Sequence, residues 1–231
     1  MTAAALVLEH DQDAPAGLLG AWARSRDVAL EVVPAGGALP DPDGRPFVVS
    51  LGAEASAFDD TVPWLAAERA LLDRAVQVGV PVLGICFGGQ HLARVLGGSV
   101  ERAPRGEVGW LDVESLAPDV VPPGPWLQWH RDRFTVPPGA ELLARSPVGP
   151  QAFRQGPHLG VQFHPEVTPA IALDWGRTYP ESVGEGLTTL DEVQRGGVAH
   201  AAGAAERAFL LFDAFLASAR SQSRMSAQPL G

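Results

Sequence analysis

The chain has 231 residues and a formal net charge of −10, and it is 46% hydrophobic and 19% charged. This composition is typical of a folded domain and not of a disordered chain, and the negative charge argues against a nucleic-acid partner. All of the formal positive charge is arginine, because the chain has no lysine. The absence of lysine excludes both a lysine Schiff base and the lysine of a phosphate-binding loop.

The sequence gives no indication of export or of membrane insertion. The first residues, "MTAAALVLEHDQ", lack a basic start, and the apolar run at 3–8 is too short for a signal peptide. No apolar run approaches the roughly 20 residues that a membrane helix requires. A single cysteine cannot form an internal disulfide, so an oxidising compartment is not indicated. We therefore expect a cytoplasmic protein with no membrane partner.

Short apolar segments and helical patterns alternate in the first half of the chain. Apolar runs rich in branched residues predict strands, and apolar residues at helical spacing predict helices between them. The predicted strands are 4–9, 28–33, 46–52 and 80–85, and the predicted helices are 18–26, 62–79 and 88–98. Strands that are apolar throughout and alternate with helices indicate the α/β class, with an open, mostly parallel sheet covered by helices on both faces.

The middle of the chain has a different pattern. Short strand candidates follow one another, separated by proline and glycine, and they predict a small antiparallel excursion. The chain is expected to return to the main sheet in 159–166, and helical patterns follow at 168–179 and 199–221.

The length suits one large domain. We predict a single domain over 1–219, whose motif core lies at about 45–180 and whose C-terminal helical extension lies at 181–219. The last segment, 220–231, is predicted to be a tail without regular structure.

The only cysteine, Cys86, lies in "GICFGG" between a predicted strand and a predicted helix. Gly84 and Gly88 stand two residues on either side of it, as in a nucleophile elbow, where strand and helix come too close for a Cβ atom. Such a turn lifts the sulfur above the carboxyl edge of a parallel sheet, at a helix N-terminus whose dipole favours the thiolate. A buried structural cysteine is the alternative, because free cysteines are commonly of that kind.

The segment "GVQFHPE" places His164 and Glu166 two residues apart on a predicted strand, so both side chains are expected on one face. Pro165 cannot donate to a sheet ladder, which puts the pair at a strand end or edge. A histidine beside a carboxylate supplies the base of a catalytic triad and the group that orients it. A core histidine with a satisfied hydrogen bond and a metal site are the alternatives. His130 and Asp132 repeat the spacing, but a metal would need more ligands. We therefore predict catalysis without a metal.

Two motifs carry a family resemblance. "GICFGGQ" and "GVQFHPE", in this order and at this separation, resemble the two signature motifs of the class I glutamine amidotransferases, and are most similar to those of the amidotransferase domain of GMP synthase and its stand-alone relatives. The segments "VVSLG", "EVGW" and "QWHRDRF" also fall in the expected order. The resemblance covers about residues 45–180. It implies a flavodoxin-like sheet and hydrolysis of glutamine without a cofactor.

The resemblance also implies roles for particular residues. Cys86, His164 and Glu166 match the catalytic triad of the family. The backbone N–H groups of Phe87 and Gly52 match the two donors of its oxyanion hole.

The resemblance implies substrate contacts as well. Gln90 matches the position that helps to hold the substrate glutamine, and His130 and Arg131 match a segment that supplies further contacts. The loop at 50–53 reads S-L-G-A where the family has S-G-G-P, so it departs at its second and fourth positions.

The sequence leaves the fate of the ammonia open. Amidotransferases pass ammonia to a synthetase, and because no ATP-binding segment is evident after residue 180, we expect a glutaminase component that supplies a separate ATP-dependent synthetase or ligase. One alternative is a γ-glutamyl hydrolase that acts on a γ-glutamyl conjugate without a partner. Another is a binding or regulatory module with a silent triad, which the intact cysteine, histidine and glutamate disfavour.

Overall fold

Nine strands form one sheet in the computed structural model, which describes residues 3–184 and 187–226. They follow the chain as β1 (Ala5–Glu9), β2 (Leu30–Pro34), β3 (Val48–Ser50), β4 (Val82–Ile85), β5 (Val100–Ser115), β6 (Gly124–Phe134), β7 (Glu141–Ser146), β8 (Gly149–Gln155) and β9 (His158–Val161). The helices are α1 (Gly17–Ser25), α2 (Leu65–Gln77), α3 (Phe87–Val95), α4 (Pro169–Thr178), α5 (Pro180–Gly184) and α6 (Leu190–Ser226).

The order of strands across the sheet is β2-β1-β3-β4-β9-β8-β7-β5-β6. The first five of these strands pair in parallel, and the remaining pairs are antiparallel. The sheet is open, because β2 and β6 are its two edges. The prediction of an open, flavodoxin-like α/β sheet with an antiparallel excursion is confirmed.

The antiparallel excursion is built mainly on a long hairpin. The two strand candidates predicted at residues 99–104 and 109–116 are one strand, β5, which pairs with β6 and has a shift of register between Arg102 and Glu107. The excursion returns to the parallel strands through β9, whose two neighbours are β4 on one side and β8 on the other. Strand β9 therefore joins the two halves of the sheet.

Helices cover both faces of the parallel strands, as the apolar pattern predicted. Alternate residues of β1 face opposite sides, so that Val7 packs in the core with Trp22 of α1 and Phe212 of α6. Leu6 and Leu8 face the other core, which includes residues of α2 and α3. Strands that are apolar on both faces are thereby buried on both faces.

The C-terminal part differs from its prediction. One helix, α6, begins at Leu190 and continues to Ser226, so the predicted tail is helical as far as that residue, and 227–231 lie outside the described residues. Helix α6 packs on α1, α4 and β5. Within the described ranges, no helix combines the length and the hydrophobicity that crossing a membrane would require.

Candidate active site

Cys86 lies between the end of β4 and the start of α3, as the elbow pattern predicted. Its φ of +52° is a conformation that residues with a side chain rarely adopt. A Cβ on Gly84 would lie 2.3 Å from the carbonyl oxygen of Gly88, and one on Gly88 would lie 2.0 Å from that of Ser50. The glycines are required because strand, turn and helix touch one another here.

His164 and Glu166 are adjacent to each other but do not lie on a strand. Strand β9 ends at Val161, and the two residues follow in the irregular segment after it, so the predicted strand placement is wrong although the predicted strand end is right. The amide of His164 instead donates to Leu127 of β6 over 2.9 Å. The His164 Nδ1 atom lies 2.7 Å from Glu166 Oε1, and both side chains are buried.

The charges around His164 favour its protonated form. Burial on its own would lower the pKa of His164, but the negative charges of Glu166 and of Cys86 as a thiolate outweigh it and raise the pKa to about 10. An imidazolium next to the sulfur stabilises a thiolate. His164 Nε2 has no hydrogen-bond partner among the described residues, so this atom is available to a substrate. The ring packs edge-on against Trp175, with ring centroids 4.9 Å apart.

Gly52 follows β3 and faces the elbow. A Cβ on Gly52 would lie 3.9 Å from the Cβ of Cys86 and only 2.9 Å from His164 Cε1. Phe87 is the first residue of α3, and an N–H at that position has no intrahelical partner. Neither the Gly52 nor the Phe87 N–H donates a hydrogen bond to the described part of the chain. Two candidate donors therefore lie beside the sulfur.

Two neighbours of the sulfur were missed by the sequence reasoning. Gln162 Nε2 lies 3.7 Å from Cys86 Sγ, and the carbonyl oxygen of Trp129 lies 3.9 Å from it. Gln90 Nε2 donates to Gln162 Oε1 over 3.3 Å and to the carbonyl oxygen of Asp132 over 3.2 Å. Gln162 belongs to the same "GVQFHPE" segment as His164, and its place in that motif was the available signal. Its side chain is fully buried in the structure.

The residues predicted for further substrate contacts lie on β6. His130 and Arg131 both line the cavity at Cys86. The ring of His130 is held within the protein by Nδ1, which lies 3.0 Å from the carbonyl oxygen of Asp132. Its Nε2 atom lies 3.2 Å from Glu107 Oε2 but makes no hydrogen bond with the described residues. The carboxylate of Asp132 lies 2.9 Å from Arg102. In the described ranges, no three His, Cys, Asp or Glu side chains are grouped as metal ligands would be.

The cavity above Cys86 has a volume of about 280 Å³. Its carboxylates outnumber its arginines, and they are Asp11, Asp13, Glu54, Asp132 and Glu181 against Arg102 and Arg131. The pKa of Tyr179 is raised first by burial. A hydrogen bond with Asp13 and the negative charges of Asp13, Glu54 and Asp11 raise it further. The mouth of the cavity is therefore negative.

The sheet order and the strand–turn–helix cysteine define an open α/β protein with its site at the carboxyl edge of the parallel strands. Comparison with known proteins identifies the family. The model of the glutamine amidotransferase class I family matches residues 58–172. The chain belongs to the class I glutamine amidotransferases.

The relatives differ in length from this chain. The chain is 38% identical over 167 residues to the glutamine-hydrolysing GMP synthase of Aeropyrum pernix, an alignment that covers 66% of this chain and 31% of that protein. Across the first three such GMP synthases, the chain spans between 23% and 31% of their length.

Several solved structures match nearly the whole chain, and two of them are glutamine amidotransferases. A glutamine amidotransferase from Thermotoga maritima has a TM-score of 0.85 at 26% identity, covering 94% of this chain and 99% of that one. A glutamine amidotransferase from Methylobacillus flagellatus has a TM-score of 0.87 at 24% identity, covering 94% and 95%, and this second likeness concerns the fold alone.

Proposed function

We propose that the chain is a glutaminase in which Cys86, His164 and Glu166 form the catalytic triad. One observation carries the proposal: a cysteine on a strained strand–helix turn lies beside a histidine that is held by a carboxylate at 2.7 Å. The histidine is the base and acid, and the carboxylate fixes its tautomer and orientation.

The first half of the reaction forms a thioester. The Cys86 thiolate attacks the side-chain amide carbon of glutamine, and the carbonyl oxygen becomes an oxyanion that accepts hydrogen bonds from the N–H groups of Gly52 and Phe87. Each such donor contributes about 3 kcal/mol to the stability of the transition state. The C–N bond then breaks, and His164 gives its proton to the departing ammonia, which leaves a γ-glutamyl thioester on Cys86.

The second half needs His164 as a base. The thiolate charge disappears when the thioester forms, and that charge is one of the two that raise the pKa of His164. The pKa of His164 therefore falls in the intermediate, and the neutral ring takes a proton from water as the water attacks the thioester carbon. Glutamate leaves and Cys86 returns to the thiolate.

We propose further that the ammonia serves a separate ATP-dependent synthetase or ligase. The GMP synthases that the chain resembles are three to four times as long as the matched segment, as the 23–31% coverage requires. The remainder of such a function must then lie in another chain or segment.

Ammonia release from glutamine tests the glutaminase. The protein should release ammonia and glutamate in equal amounts and should be labelled by a glutamine-analogue diazoketone at its single cysteine. Cys86→Ala should lose both properties while it keeps its unfolding temperature. Full activity in that variant would overturn the proposal.

The synthetase role has its own test. A candidate ligase should form its product from glutamine only when the active chain is present. With the Cys86→Ala chain, the ligase should require added ammonium chloride. A ligase that uses ammonium but never responds to the active chain would contradict the proposal that this chain supplies its ammonia.

A γ-glutamyl hydrolase is the second candidate, and the negative mouth of the cavity favours it. Asp11, Asp13 and Glu54 would attract a conjugate whose leaving amine carries a further positive charge. Turnover of γ-glutamyl amines with a cationic tail, together with no turnover of glutamine, would favour this function over the first.

A further inference from the structure

A buried charged cluster lies beneath the loop that carries Gly52, and the reaction described above does not use it. Its centre is Glu68 of α2, which is fully buried. Glu68 Oε2 lies 2.7 Å from His10 Nε2, and Glu68 Oε1 accepts from Ser50 Oγ over 2.7 Å and lies 3.4 Å from His91 Nδ1. Burial of a carboxylate costs free energy, so a role is expected for the side chains that compensate its charge.

The hydrogen bonds of His10 fix its protons. Its Nδ1 atom lies 3.1 Å from the carbonyl oxygen of Gly52, which can only accept, so Nδ1 carries a proton. Burial raises the pKa of Glu68, but the hydrogen bonds and charges of His10 and His91 outweigh it and lower the pKa to about 2. Glu68 is therefore a carboxylate, whose Oε2 atom can only accept at its contact with His10 Nε2.

The loop at Gly52 is held on both sides. The amide of Leu51 donates to Leu8 over 3.2 Å, and the carbonyl oxygen of Leu51 accepts from the amide of Gly88 over 3.1 Å. The next carbonyl, that of Gly52, is held by His10. The two peptide groups that flank the Gly52 Cα atom are thus both anchored, and the second anchor is a side chain.

The same histidine packs against the other candidate donor. The ring of His10 lies 4.9 Å from the ring of Phe87, and 4.8 Å from that of Trp64. The rings of Trp64 and Phe87 are 5.3 Å apart. His10 is therefore enclosed by aromatic rings and has no room to turn away from Gly52 without disturbing Phe87.

We propose that His10, held by Glu68, is a positioning residue of glutamine hydrolysis that locks the Gly52 loop in place through a hydrogen bond from Nδ1 to the Gly52 carbonyl oxygen. The inference rests on the proposed function, in which the Gly52 N–H stabilises the oxyanion. Loss of the lock frees the Gly52 peptide groups to rotate. The oxyanion exists only in the transition state and the intermediates, so the cost falls on kcat and not on KM.

Two substitutions separate the two hydrogen bonds of His10. The amide nitrogen of asparagine overlays Nδ1, so His10→Asn keeps the donor to Gly52 and loses the contact with Glu68. The amide nitrogen of glutamine overlays Nε2, so His10→Gln keeps the contact with Glu68 and loses the donor to Gly52. We expect kcat for glutamine to fall by about 10- to 100-fold in His10→Gln, with KM nearly unchanged, and to be restored substantially in His10→Asn.

Alkylation by iodoacetamide supplies the control reaction. The thiolate displaces iodide and forms its C–S bond without an oxyanion, so the rate of alkylation of Cys86 in His10→Gln should equal that of the wild type. His200→Gln is the matched substitution, because His200 contacts Trp110, which does not line the cavity. It should leave kcat and alkylation unchanged.

Each outcome decides the proposal. Equal kcat in His10→Gln and the wild type, equal losses in His10→Gln and His10→Asn, or a parallel loss of alkylation would each overturn the positioning role while the glutaminase stands. A wild-type protein that is alkylated at Cys86 but hydrolyses no glutamine would overturn the proposed function, and the positioning role with it.

Discussion

Gly52 and His164 approach each other so closely that a Cβ on Gly52 would lie 2.9 Å from His164 Cε1. Real Cβ atoms essentially never make such a contact, so either the ring or the loop would have to shift. The residue proposed to hold the oxyanion and the residue proposed to move the proton therefore share one packing constraint. Glycine at position 52 leaves room for the imidazole beside Cys86.

Gly52→Ala is expected to reduce kcat for glutamine by about 10²-fold or more, because a displacement of the ring by a fraction of an ångström misaligns the proton transfer. The measurement is ammonia release at saturating glutamine, with the unfolding temperature as a check on the fold. Gly36→Ala is the matched control, since a Cβ there meets nothing within 4 Å. An active Gly52→Ala variant would show that the ring does not need this position.

Glu166→Gln is expected to cut turnover by at least about 10²-fold, because the amide keeps an acceptor for His164 Nδ1 but removes the negative charge. The pKa of His164 must then fall, since the charge of Glu166 raises it. The imidazolium form becomes scarcer at neutral pH, and alkylation of Cys86 by iodoacetamide should slow at pH 7.

The control for Glu166→Gln is Glu141→Gln, which removes an exposed carboxylate paired with Arg154. It should change neither rate. If Glu166→Gln matched the wild type, Glu166 would have only a structural role, and Asp132 would be the next carboxylate to test.

Cys86→Gly is expected to be more stable than Cys86→Ala by about 1 kcal/mol, because glycine adopts a φ of +52° without the clash of a Cβ. Urea unfolding of the two inactive variants measures the difference. Ala93→Gly is the comparison: glycine should be less stable than alanine at this position, because Ala93 lies within α3, where glycine costs about 1 kcal/mol relative to alanine. A less stable Cys86→Gly would mean that the elbow stores no strain.

His158 should make the stability depend on pH. Burial lowers the pKa of His158 to about 4, while an unfolded chain has a value near 6.5. Between these values the unfolded chain binds the proton and the folded protein does not, so the contribution is complete above pH 6.5 and is lost as the pH falls toward 4. The loss reaches about 3 kcal/mol if the whole shift is realised.

Urea unfolding between pH 7 and pH 4.5 measures this contribution. His158→Gln cannot take up the proton, so its free energy of unfolding should decline less over this range than that of the wild type. His200→Gln, on the half-buried face of α6, should decline as the wild type does. Parallel curves for the wild type and His158→Gln would contradict the buried, neutral histidine.

The elbow could be predicted from the sequence because its signal is local. Gly84, Cys86 and Gly88 are within five residues, and apolar runs on either side mark the strand and the helix. The placement of His164 and Glu166 on a strand was wrong, because the apolar pattern of "LGVQF" continues beyond Val161, where β9 ends and the amide of His164 donates to Leu127 of β6 instead of to a neighbour of β9.

The cluster at Glu68 could not be predicted in the same way. His10 and Glu68 are 58 positions apart, and each is followed by a charged residue, Asp11 and Arg69, so a solvent-facing position is the ordinary interpretation. Only the pairing of β1 with β3 and the packing of α2 bring them together. A polar side chain on the buried face of a helix has no partner that sequence spacing alone reveals.

The position of β9 has a consequence for how the protein acquires its reactivity. Cys86 follows β4 and His164 follows β9, and the whole antiparallel hairpin system lies along the chain between these two strands, which pair at Ile85 and Val161. Closing so long a stretch is a late and slow event in folding. In a chain emerging from the ribosome, Cys86 therefore has no histidine beside it. The sulfur gains its histidine neighbour only when β9 has paired with β4.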